Sequence, residues 1–215
     1  MPPDIVIAPQ AKPLLSAGTL GTRFYEMVLG WGAVTLVYFC TAWLDVEPVI
    51  IAEIWLDRKL EFSVHAIWLY LSFFVLIPYT YFSATPEHLP RLRVAMQVSA
   101  VISGLFFVFM PSTLAYPLIT QQGFSADVLK VLTTVDSANN CFPSLHASLT
   151  TICIVCVIEE RRLTRSVCVG LLGVLILVSI IVLRRHLSID VGAGVVLGLI
   201  SYCVGGYLQR RRHGE

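Results

Sequence analysis

Charge is what this chain has least of: 13% of its 215 residues are Asp, Glu, Lys or Arg, against about 25% in a typical soluble domain. Half of the usual solvating surface is missing, which excludes a soluble globular protein. The same scarcity excludes a disordered tail and a basic nucleic-acid binder, and the lack of a strict repeat excludes a collagen-like rod. The first 23 residues carry Pro2, Pro3, Pro9 and Pro13 but lack the basic-then-apolar order of a signal peptide, so they read as a flexible arm. Cys153-x-x-Cys156 has no second pair to complete a metal site. The six cysteines sit mostly in apolar runs, where cysteine behaves as a small hydrophobe. Neither a metal nor a cofactor is expected.

What the chain has is apolar length: 56% hydrophobic residues and a mean hydropathy of +0.77. A bilayer core of about 30 Å is crossed by about 20 helical residues. Six runs approach that length, at 24–44, 64–83, 94–110, 143–158, 166–183 and 187–208, the fourth being short. The expected fold is an all-α, integral-membrane six-helix bundle over 24–208, with a basic tail at 209–215. Ten of the fifteen basic residues (Lys12, Arg23, Arg91, Arg93, Arg161, Arg162, Arg165, Arg210, Arg211 and Arg212) fall on the side that carries both termini. The positive-inside rule makes that side cytoplasmic. The opposite, extracytoplasmic side would carry two long connections. In 45–63, apolar and acidic residues alternate at roughly helical spacing, which predicts an amphipathic helix in the interface. In 111–142, turn signals at Pro111 and Pro117 precede a short helix after Ser125 and a turn at Ser137-Ala-Asn-Asn.

Ionisable side chains at membrane-helix ends are costly, and are therefore functional candidates. Two groups fall at the extracytoplasmic depth: Pro143-Ser144-Leu145-His146 opening the fourth span, and Arg184-Arg185-His186-x-x-x-Asp190 opening the sixth. The i, i+4 spacing of His186 and Asp190 puts them on one helical face. There the carboxylate would accept the imidazole N–H, fix its tautomer and make the other nitrogen a better nucleophile. His146, in the first turn of its helix, would lie among backbone N–H groups that favour an anion, with Ser144 as a further donor. Arg184 and Arg185 taken alone read as snorkelling residues, and Pro143-Ser144 as an ordinary helix start. The conjunction of two histidines, a carboxylate and arginines on one side favours a phosphate pocket. Lys130 in the 111–142 connection is a further candidate phosphate contact. His65, His88 and His213 are assigned no role.

At these residues the chain resembles the type 2 phosphatidic acid phosphatase superfamily, whose members are six-helix membrane enzymes. Cys141-Phe-Pro-Ser-Leu-His-Ala-Ser matches that family's Pro-Ser-Gly-His motif, with Leu145 replacing the glycine. His186-Leu-Ser-Ile-Asp190, followed by Val-Gly-Ala-Gly, matches its His-x-x-x-Asp motif. The resemblance implies that His186 is the nucleophile, Asp190 its partner, His146 the acid for the leaving oxygen and Ser144 a phosphate contact. Two departures stand out. The Lys-x6-Arg-Pro motif is absent, since no Arg-Pro dipeptide occurs and Met110–Pro117 stands near its expected place. The arginine six residues before the nucleophile is Ile180, with Arg184 one turn further along the same expected helical face.

The resemblance implies a metal-independent lipid phosphatase acting through a phosphohistidine, with a lipid phosphate as substrate, membrane lipids around it and no nucleic acid. The Phe-Pro-Ser-Leu-His form looks more like the branch of inositol phosphorylceramide and sphingomyelin synthases, which makes a headgroup phosphotransferase the first alternative. A non-catalytic lipid-binding or transport protein is the second. A transporter is signalled by inverted repeats or broken helix pairs, and an intramembrane serine hydrolase by G-x-S-x-G. The sequence has neither signal.

Overall fold

The structure is a computed structural model that describes residues 18–44, 46–160 and 162–213. Lys12, Arg161 and the expected arm as far as residue 17 lie outside the described residues, as does the end of the tail. Nine α-helices occur among the described residues: α1 Leu20–Ala42, α2 Trp55–Lys59, α3 Ile67–Leu71, α4 Phe73–Ser83, α5 Leu89–Phe109, α6 Phe124–Val135, α7 Leu145–Glu159, α8 Leu163–Val182 and α9 Ser188–His213. Five stretches are long and apolar enough to cross a membrane: α1, Val64–Ser83 (which includes α3 and α4), α5, α8 and α9. The short fourth span is the apolar part of α7, Leu145–Ile158. The expected helical membrane bundle is therefore what the chain forms, with five full-length spans and one shorter apolar helix. Outward-facing Leu171, Val174 and Val178 of α8 are exposed, as suits helices whose solvent is lipid.

The ends of the helices differ from the expected limits for local reasons. α1 begins at Leu20 because Thr19 caps it, its side chain accepting the Thr22 N–H, so residues 18–23 belong to the bundle. α9 continues to His213, and the start of the basic tail is helical.

α5 packs against α1, α7 and α9, and α7 packs in turn on α4, α8 and α9. The α7–α9 contact is close because Gly194 and Gly198 lie one turn apart on α9. A methyl group at either would collide with the backbone oxygen of Ser144 or Ser148. This is small-residue packing of the kind membrane helices use when backbones must approach, and it sets the distance between α7, which carries His146, and α9, whose start follows His186.

Most of the described basic residues gather at one end. Arg23 donates to the carbonyls of Tyr81 and Ala84, Arg165 to that of Ser83, and the Gln209 amide to that of Glu87. The long connections meet at the opposite end. Here the 45–63 expectation is corrected. From residue 46 its first part is extended and forms strand β1, Val49–Ile50, paired in parallel with β2, Ser112–Thr113, and among its described residues only the single turn of α2 is helical. The physical reason is Asp57, expected on a wet polar face but fully buried. One carboxylate oxygen accepts the Ser188 N–H and hydroxyl at 2.7 and 2.6 Å; the other accepts the Ile54 N–H. The segment is thus tied to the start of α9 and cannot lie flat as a free amphipathic helix.

Candidate active site

His146 is the second residue of α7, and Ser144 is the helix N-cap. Ser144 is fully buried; its hydroxyl oxygen accepts the Ala147 N–H at 3.3 Å. Its own N–H donates to the Asp190 carbonyl at 3.1 Å. One residue therefore starts α7 and bolts it to α9. His146 stands among aromatic rings, with centroids of Tyr70 and Phe73 at 4.8 and 4.6 Å, and its Nε2 is 2.9 Å from the Tyr70 hydroxyl.

His186 is not helical. α8 ends at Val182 and α9 begins at Ser188, so the histidine lies in the turn between them. The four-residue spacing still works, because Asp190 in the first turn of α9 folds back. Its Oδ2 accepts the Leu187 N–H at 2.9 Å and lies 3.8 Å from His186 Nδ1. Both residues are buried, and neither His186 Nδ1 nor Asp190 Oδ1 has a hydrogen-bond partner. The unpaired Nδ1 of His186 thus lies slightly beyond bonding distance of a carboxylate that has one oxygen bonded to Leu187 and the other free, as catalytic pairs without substrate often do. The rings of His146 and His186, 40 residues apart in the chain, have centroids 6.2 Å apart.

The two arginines part company. Arg185 is 6% exposed. Its Nε and one terminal nitrogen donate to Asp136 Oδ2 at 3.0 and 2.8 Å, and its guanidinium lies over the Tyr116 ring. Asp136 also accepts a very short hydrogen bond from the Tyr38 hydroxyl. Burial alone would raise the Asp136 carboxyl, but the Arg185 charge and these hydrogen bonds outweigh it and hold the group below its ordinary value. Asp136, to which Arg185 is paired, shares a cavity wall with His146. Arg184 turns away. The helix has ended before it and its φ is +52°, so it does not continue the face of Ile180 as expected. It donates to the Asp57 and Leu60 carbonyls at 2.7 and 3.0 Å and pairs with Glu53. Lys130 is not brought to the cluster either: it is half exposed and pairs with Asp127 on the outside of α6.

Sequence reasoning missed Asp136, Tyr38, Tyr70 and Tyr116. The only available signal was Asp136 itself, an acid at the end of a short apolar helix beside the Ser137 turn. Nothing in its spacing connects it to Arg185.

Beside His146 lies a cavity of about 210 Å³. Its walls are Trp31, Val34, Thr35, Tyr38 and Phe39 of α1, Tyr70 of α3, Phe73 and Phe74 of α4, Leu132 and Val135 of α6 with Asp136 at its end, and Leu145, His146 and Leu149 of α7.

A multi-pass helical protein with two histidines, a carboxylate and an arginine gathered where two helices begin is the class defined so far. The family model described as the PAP2 superfamily matches residues 36–204, from within α1 into the second half of α9, and the chain belongs to that superfamily. Its members are phosphatases and phosphotransferases. No curated protein and no solved structure matches the chain.

Proposed function

We propose that the protein is a membrane-embedded, metal-independent lipid phosphatase that works through a phosphohistidine. The observation carrying this reading is the approach of His146 to His186 with Asp190 beside the latter. With Asp190 holding the Nδ1 proton, Nε2 of His186 attacks phosphorus and the bond to the leaving oxygen breaks. His146 gives that oxygen a proton. Water, deprotonated by His146, then attacks the phosphohistidine and releases phosphate, which restores both histidines. Arg185 stabilises the developing charge, with its remaining N–H groups as donors. The site lies at the end opposite the basic cluster, and the positive-inside rule makes that end extracytoplasmic.

One observation favours a second reading, a headgroup phosphotransferase. Among the described residues Arg185 is the one arginine in the cluster, and Asp136 already offsets its charge. That suits a phosphodiester with one negative charge better than a doubly charged monoester. An alcohol then replaces water in the second step. The test is purified protein in detergent with phosphatidic acid, phosphatidylglycerol phosphate, prenyl diphosphates and phosphodiester lipids, with and without alcohol acceptors. Free phosphate supports the phosphatase and a transferred headgroup the transferase. Turnover of none of these, or full activity in His186→Ala, refutes the phosphohistidine reading.

A further inference from the structure

We propose that the cavity between α1, α3–α4, α6 and α7 holds the hydrocarbon chain of the substrate's leaving alcohol, an inference that rests on the phosphohistidine reading. His146 is part of the cavity wall and 6.2 Å from His186. A phosphorus within reach of His186 therefore places its leaving oxygen beside His146, and the next atoms of the alcohol enter the cavity. The polar groups in the wall are mostly already engaged: Tyr70 with His146 and Tyr38 with Asp136. What remains for a ligand is aromatic and aliphatic surface, which offers no free hydrogen-bonding partner to a sugar or an inositol group.

Size restricts the occupant further. An apolar cavity of about 150 Å³ takes benzene, so 210 Å³ takes about eight carbons in proportion. That matches the first carbons of a single chain. Thr35, Phe39 and Val135 in the wall are exposed, so the remainder of the chain leaves toward lipid. A second apolar groove, of about 400 Å³, lies between α5 and α9 beside Phe142. It contains neither histidine, so a chain lying there would not adjoin the acid. A linear alkyl chain and a prenyl chain share the required chemistry, and the experiment separates them.

The full-length protein in phosphatidylcholine nanodiscs is irradiated with two phosphate probes carrying a diazirine near the sixth carbon, one on a hexadecyl chain and one on a prenyl chain. The hexadecyl probe is also used as its free alcohol. The phosphates are expected to label 31–39 and 70–74, the stronger of the two showing the chain type, while the alcohol labels outward faces. Thr35→Trp should remove that labelling and lower the ratio of kcat/KM for octyl over ethyl phosphate by about tenfold, the scale of a methylene-sized change in an apolar pocket. Val135→Trp, on an exposed position of α6, provides the same test should Thr35→Trp not fold. Labelling confined to the α5–α9 groove, equal labelling by the alcohol, or an unchanged ratio in both variants overturns the proposal. Turnover with labels elsewhere removes the chain site and leaves the enzyme. Labels at 31–39 without turnover of any phosphoester keep the chain site and remove the phosphohistidine reading.

Discussion

Replacing Arg185 by alanine separates its pairing with Asp136 from its proposed role at the phosphate. Arg185 and Asp136 are 6% and 12% exposed, so little water screens their pairing. Removing the arginine takes away two charge-assisted hydrogen bonds and leaves the carboxylate buried with Tyr38 as its remaining donor. Breaking a buried pair from one side costs about 3–5 kcal/mol. For a chain of this size each kcal/mol moves the melting temperature by about 2–4 °C, so a drop of roughly 10 °C is expected. Turnover should fall by about 10²–10³, as on loss of a donor to transition-state charge. The double variant Arg185→Ala/Asp136→Asn removes the stranded charge as well. Its melting temperature should recover most of the loss, while its turnover should stay low, because the donor is still missing. Thermal unfolding in one detergent and single-turnover phosphate release measure the two effects. Equal, small effects of Arg184→Ala and Arg185→Ala on turnover would refute the assignment. A double variant that regains activity together with stability would show that Arg185 acts only on the fold.

His186→Ala should abolish turnover and phosphoenzyme trapping. His146→Ala should harm alkyl phosphates far more than activated aryl phosphates, whose leaving oxygen needs no proton; equal losses on both substrates would remove the acid role. Asp190→Asn retains an oxygen for the Leu187 N–H but not the charge facing His186, so kcat should fall by orders of magnitude with the melting temperature nearly unchanged. Gly194→Val should drive α9 from the Ser144 backbone. An ångström of misplacement between the histidines is worth about 10²-fold in rate, measurable as lost turnover in protein that still extracts as a monodisperse species. Burial alone would raise the Asp57 carboxyl, but hydrogen bonds from Ser188 and Ile54 and the Arg184 charge hold it below its ordinary 3.8. A depressed carboxyl adds stability that is complete above the unfolded value and is lost as pH falls toward the folded one. Acid unfolding of the wild type below about pH 4 should therefore be steeper than that of Asp57→Asn, and parallel pH curves would count against the carboxylate's role.

The apolar runs determined the helices, because in lipid a backbone polar group must be satisfied within its own segment and about 20 apolar residues leave little alternative. The closeness of His186 and Asp190 was also legible from their four-residue spacing, although it arises across a turn and a helix start and not on one helical face. Capping was equally local, as Ser144 at the head of α7 shows. Tertiary structure alone decided the rest. Asp57 reads as one acid on an amphipathic face until Ser188, 131 residues away, claims its carboxylate. Arg184 and Arg185 are adjacent and chemically identical. Which one enters the site depends on the backbone after Val182, where a positive φ at Arg184 sends it to the α2 carbonyls and leaves its neighbour facing Asp136. Such pairings join segments with no periodic relation, and their partners are chosen by which buried charges would otherwise be stranded, a cost that exists only once the helices have packed.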